Sequence, residues 1–182
     1  MYHSRALRHV RGVLSTETAK TIACSIAASR LDYCNSMLSG APASTVDKFQ
    51  RAQNVLARVV LQAKYRASAK PLLRQLHWLP VRERISYKMA LLTYKSYIMS
   101  SPDYLMRLLH RHVPTRSLRS SVAPLLLVPR TQTNIGKRAF SVTAPLTWHA
   151  LPNYVSQSDI LAIFKSRLKT ALFTLAFSTL RT

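Results

Sequence analysis

Six of the 182 residues are acidic, three are glycine and two are cysteine. Each shortage removes a class of chemistry. Metal-dependent phosphoryl transfer needs two or three converging carboxylates to hold its cations. Five of the six acids, Glu17, Asp47, Glu83, Asp103 and Asp159, fall where the pattern predicts the first turn of a helix, with their charge facing the macrodipole. Only Asp32 is left over, so no nuclease or polymerase centre is expected within these residues, and no metal or cofactor. Three glycines leave no phosphate loop and no nucleophile elbow. Cys24 and Cys34 stand ten apart on one predicted helix, which suits neither a zinc pair nor a redox motif; they read as core thiols in a reducing compartment. No apolar run approaches the roughly 20 residues of a membrane span, and the N-terminus is too polar for a secretory signal. A soluble, intracellular chain is the expectation.

What is present is apolar and basic. Hydrophobic residues make up 48%, enough for a real core, while 27 Lys and Arg give a net charge of +21. Such an excess repels itself in a compact fold and is tolerated when a polyanion is the partner. Nucleic acid, met through its phosphate backbone, is the leading candidate. A membrane surface ranks second, because the cations are spread along the chain and not gathered on one amphipathic helix.

The apolar spacing predicts a mainly α fold, a helical bundle around a central helix at about residues 80–99. Pro80 suits the first position of that helix. Val81, Ile85, Met89, Leu92 and Met99 make one apolar face, and Tyr87, Leu91, Tyr94 and Ile98 a second. Before it, a short basic helix ends near Ser15, and a helix of about twenty residues runs from Thr16 to the stop at Gly40 and Pro42. A third helix opens on Ser44 and Asp47 as a capping box, with Val46, Phe49, Leu56, Val59, Val60 and Ala63 inward and Lys48, Arg51, Gln53, Asn54 and Arg58 outward. Pro71 to Leu76 forms a short helix, and Pro102 opens another. The pattern also admits a small β-hairpin near residues 125–142, pairing Leu125 to Val128 with Arg138 to Val142. Pro145, Trp148 and Pro152 punctuate a corner. Ser158 then caps a last helix with Ile160, Leu161, Phe164, Leu168, Leu172 and Leu175 inward.

Candidate binding residues are all cations. Arg84, Lys88 and Lys95, spaced by four and seven, form a seam between the two apolar faces of the central helix. They read equally as an anion-binding strip or as solvated stems. Arg111, Arg116 and Arg119 are interleaved with Thr115, Ser117, Ser120 and Ser121 in a basic loop over residues 110–137, a mixture suited to phosphate contacts. Lys165 and Lys169 lie together outside the last helix. Tyr97, Tyr104 and Trp148 suit base stacking or, more readily, core packing. His110 and His112 read as polar surface and His77 as a packed or capping histidine.

Seven runs, in order, carry a family resemblance: YHSRALRHVRGVLS, AKTIACSIAASRLDYCNSMLSG, FQRAQNVLARVV, LLRQLHWLPVRERISYKMALLTYKSY, PTRSLRSS, LLLVPRTQTNIGKRAFSVTAP and FKSRLKTALF. Together they resemble the C-terminal part of the reverse transcriptase of LINE-type, jockey-like non-LTR retrotransposons. LDYCNS, LHWLPVR and RAFS-x-x-AP are the most specific of these, and the runs cover almost the whole chain. The resemblance implies a helical thumb-like segment over residues 1–65 and a C-terminal helical domain over 66–182, which grip RNA and primer-template DNA beside a palm domain. The implied place of action is the nucleus or a cytoplasmic ribonucleoprotein. The palm's catalytic aspartate pair is absent from these residues. The connection Tyr97 to Pro102 is about one residue shorter than the family pattern and lacks its Gly, and His149 stands where Asn is common after the tryptophan. These departures point to a degenerate or truncated copy; the alternative reading is a basic helical RNA-binding or protein-interaction scaffold with no transposition role.

Overall fold

A computed structural model describes residues 2–31, 35–112 and 125–178. These fold as nine α-helices: α1 Tyr2–Val10, α2 Thr16–Leu31, α3 Ala43–Val60, α4 Ala69–Gln75, α5 Val81–Ile98, α6 Asp103–Met106, α7 Phe140–His149, α8 Asn153–Ser156 and α9 Leu161–Phe177. The chain gathers into two compact units, one of Met1–Arg84 with Leu172–Thr182, the other of Ile85–Ala171. No helix among the described residues is long and apolar enough to cross a membrane.

In the first unit α1, α2 and α3 each touch the other two, and α4 lies against α3. Leu7, Ala19, Ala23, Leu56, Val59 and Val60 fill the space between them. The small Ala19 and Ala23 let α2 approach its neighbours closely. Buried Arg11 ties the chain after α1 to the end of α3: its Nε donates to the Val60 carbonyl at 2.8 Å, Nη1 to the Leu14 carbonyl at 2.7 Å and Nη2 to Thr16 Oγ1 at 3.0 Å.

The start of α5 is closed by tertiary contact. Pro80 accepts from the Arg84 N–H, so Pro80 is the residue before the helix and Val81 the first within it. The otherwise orphan Val81 N–H donates to Gln50 Oε1 at 2.8 Å. Gln53, expected on the outer face of α3, is only 1% exposed. Its Nε2 donates to the Leu79 carbonyl at 2.8 Å and its Oε1 accepts from Gln50 Nε2 at 3.1 Å. An amide with both ends bonded can be buried at modest cost.

With few glycines, three helix ends use other residues in the left-handed region: Gln62 (φ 50), His77 (φ 55) and Ser100 (φ 52). After α4 the pattern is a Schellman turn, with the His77 N–H donating to the Arg74 carbonyl and the Trp78 N–H to the Leu73 carbonyl. The His77 ring is held by stacking on Phe173, 5.6 Å between centroids. Ser100 occupies the connection whose expected Gly is missing.

In the second unit, Tyr94 is the hub. It is 1% exposed, stacks on Phe164 at 4.2 Å, faces Trp148 at 6.5 Å and donates its hydroxyl to the Ser158 carbonyl at 2.9 Å. Burial, and the negative Asp159 beside it, raise its pKa above the ordinary tyrosine value. The first apolar face of α5 is buried at Val81, Ile85 and Met89, but its second face is buried only at Tyr94; Ile98 and Met99 are exposed. Small residues replace them inside, namely Ala90, Thr93 and Ser96. Thr93 can enter because its hydroxyl bonds back to the Met89 carbonyl at 2.8 Å.

The hairpin near residues 125–142 does not form. Leu126 makes one isolated antiparallel bridge with Arg111; Gly136–Arg138 is a 3₁₀ turn and α7 begins at Phe140. The corner around Pro145 is instead this helix with Pro145 inside it, where Thr143 and Thr147 hydroxyls bond back to the Ala139 and Thr143 carbonyls. Several local assignments also change. Glu17, Glu83 and Asp103 occupy first turns, but Asp47 lies deeper in α3 and Asp159 precedes α9. Pro42 begins α3 with no side-chain cap, so Ser44 and Asp47 form no capping box. Ser158 is buried and accepts from Arg167, and α9 starts beyond it. Ile160 and Leu175 are exposed, whereas Phe164, Leu168 and Phe177 are buried. Cys24 is an exposed free thiol and no core residue; Cys34 lies outside the described residues.

Candidate nucleic-acid interface

The seam cations lie on α5 with Arg84 in its first turns and Lys88 and Lys95 further along, all half-buried. Half-burial of a lysine means that the aliphatic stem is packed while the ammonium reaches water. The seam therefore presents partly fixed charges. Lys165 and Lys169 are exposed one turn apart on α9. Between them Arg167 donates to the Tyr154 carbonyl at 2.8 Å and to Ser158 Oγ at 3.3 Å, which ties it to α8 and the turn after it.

Of the basic loop, residues 113–124 lie outside the described residues, and with them Arg116, Arg119, Thr115, Ser117, Ser120 and Ser121. Arg111 is exposed, yet its guanidinium sits 5.6 Å from the centre of the Tyr97 ring, a cation–π arrangement. Tyr97 in turn meets Trp148 edge-on at 6.0 Å. Backbone bonds close the base: His112 N–H to the Leu125 carbonyl at 2.8 Å and Leu127 N–H to the His110 carbonyl at 2.7 Å. Trp148 is buried and Tyr97 half-buried, so both serve packing, while Tyr104 is 68% exposed.

His149 adds a pH-sensitive tie that sequence reasoning missed, because its partner is a main-chain group. Its Nε2 accepts the Leu126 N–H at 3.1 Å, which requires that nitrogen to be unprotonated. Burial, and then the neighbouring His112, push its pKa below the ordinary histidine value. A depressed folded-state pKa gives stability that is present above the ordinary value, about 6.5, and is lost as pH falls through the lowered one. Thermal midpoints of the wild type should therefore fall between pH 7.5 and pH 5 more steeply than those of His149→Gln, whose amide oxygen accepts without titrating. Parallel curves would refute the tie.

Two cavities in the first unit differ in charge. One, of about 330 Å³, is lined by Asp47 and Glu83 as well as Lys70 and Arg82. The other, of about 360 Å³, is lined by Arg8, Arg11 and Arg58 with no acid, and by Val55, Val59 and Tyr65. The sequence pattern puts Arg58 on the outer face of α3 and Arg8 in the short basic helix without a role for either, because the approach of α1 to α3 is not a local signal. No group of three His, Cys, Asp or Glu side chains converges among the described residues.

No family model, curated protein or solved structure matches the chain.

Proposed function

We propose that the chain is a nucleic-acid-gripping module, the C-terminal thumb and post-palm segment of a LINE-type retrotransposon reverse transcriptase, without catalytic carboxylates of its own. The observation that carries this reading is the charge imbalance. However the six acids pair, as Glu17 does with Lys20 and Asp103 with Arg107, they cannot neutralise 27 cations. The half-buried seam lysines and the exposed pair on α9 support it, because they offer cations at helical spacing to a phosphate backbone. The partners are RNA and DNA, with a palm domain to complete the enzyme and no membrane. The setting is the nucleus or a cytoplasmic ribonucleoprotein.

Binding to single-stranded RNA or DNA should be governed by counterion release and be nearly indifferent to sequence. With roughly 6–10 phosphates engaged on a single strand, affinity should fall by about 300-fold to 10⁴-fold between about 50 and 200 mM salt. The same preparation should extend no primer with Mg²⁺ or Mn²⁺. A shallow salt dependence with strong sequence preference, or template-directed synthesis from protein free of contaminating polymerase, would overturn this reading.

A further inference from the structure

The arginine-lined cavity of the first unit has a composition that the general electrostatic reading does not explain. Arg11 is 8% exposed and its three hydrogen bonds go to two carbonyls and a hydroxyl, never to a carboxylate. A buried guanidinium without a counter-charge is uncommon, since desolvation is usually offset by an acid or an anionic ligand. Arg58 lines the same cavity, its Nε held by the Ala67 carbonyl at 2.9 Å, so its orientation is set before anything binds. Arg8, exposed, completes the set. The remainder of the lining is of another kind. Val55 and Val59 supply an apolar wall, and Tyr65 stands at the edge 82% exposed, a large aromatic left in water. Inorganic phosphate would use the cations and leave the wall and ring idle. The volume, about 360 Å³, is in the range of small-ligand sites.

We propose that this cavity seats one nucleotide unit, with its phosphate on Arg8 and Arg58, the fixed charge of Arg11 behind them, and its base against Val55, Val59 and the Tyr65 ring. Arginine forks match phosphate oxygens, and any base offers a face to an aromatic ring. The seat is therefore selective for phosphate plus base together and tolerant of base identity. It rests on the proposed function only for where the nucleotide comes from, a strand end or an unpaired position; free nucleotide tests the seat by itself.

The test is calorimetric titration of the full chain with 5′-AMP, adenosine and inorganic phosphate at one fixed ionic strength. One equivalent of AMP should saturate the site, at least about tenfold more tightly than either fragment. Arg8→Gln should weaken AMP at least about tenfold. Tyr65→Ala, at a position too exposed to threaten folding, should weaken AMP while leaving phosphate unchanged. AMP binding no tighter than phosphate, or unaffected by Arg8→Gln, would overturn the seat. So would an oligo-aspartate peptide that displaces AMP at equal concentration, which would mark the cavity as a peptide site. Oligonucleotide binding separates the two ideas. If AMP binds as described but strands do not, the proposed function fails and the seat stands; if strands bind and AMP does not, the reverse holds.

Discussion

Phe164→Ala should unfold the second unit at far lower denaturant than the wild type, at a cost of about 3–5 kcal/mol. Phe164 is fully buried, stacked on Tyr94 at 4.2 Å and on Trp148 at 6.1 Å, so truncation removes one wall of an aromatic cluster whose other members are fixed. Those neighbours have little room to collapse into the space. Tyr94 is held by its hydroxyl on the Ser158 carbonyl, and Trp148 is pinned against Tyr97. A cavity that cannot relax keeps its full cost. Tyr94→Phe keeps the ring and loses only the hydrogen bond, leaving one carbonyl unsatisfied, for about 1–3 kcal/mol. Urea titration followed by Trp148 fluorescence in a Trp78→Phe background checks both, because the remaining indole sits inside the cluster. An equal loss for the two variants would show that the hydroxyl, and not the stacking, holds the unit together.

The cluster shows how far the pattern of residues could be read. Phe164 and Leu168 were legible as inward positions because they recur at helical spacing, and the start of α5 was legible because a proline is best tolerated just before or within the first turn of a helix. The register of burial along α5 was harder to see. Periodicity counts apolar residues and cannot know that Thr93 will satisfy its own hydroxyl or that Ala90 and Ser96 are small enough for close approach. Gln53 was placed outside for a related reason: its partner, the Leu79 carbonyl, is distant in sequence. The segment at 125–128 kept the alternation expected of a strand, with Leu126 buried between exposed Leu125 and Leu127. Its pairing went to Arg111, because Phe140 onward had become helix. Pro145 concealed that helix. The helix positions of the seam and α9 lysines are legible from spacing alone, whereas the arginine cavity depends on α1 and the end of α3 coming together, which no local pattern encodes.

The seam and the α9 pair allow a direct comparison of pre-placed and free charge. Lys88 and Lys95 have packed stems, while Lys165 and Lys169 are exposed on their helix. A lysine carries about 2 kcal/mol of rotamer entropy, part of which packing has already removed for the seam pair, so docking a phosphate there costs less ordering. Lys88→Gln with Lys95→Gln should lower the slope of log K against log salt by about 1.4 and weaken single-strand binding at about 0.1 M salt by roughly 25-fold. Lys165→Gln with Lys169→Gln should change both quantities less. Fluorescence anisotropy with a labelled oligonucleotide over a salt series measures the slope and the affinity together, with circular dichroism confirming unchanged helix content. If the seam variant binds as the wild type does while the α9 variant loses affinity, the ammonium groups of α5 are only solvated surface, and the strand follows the exposed face of α9.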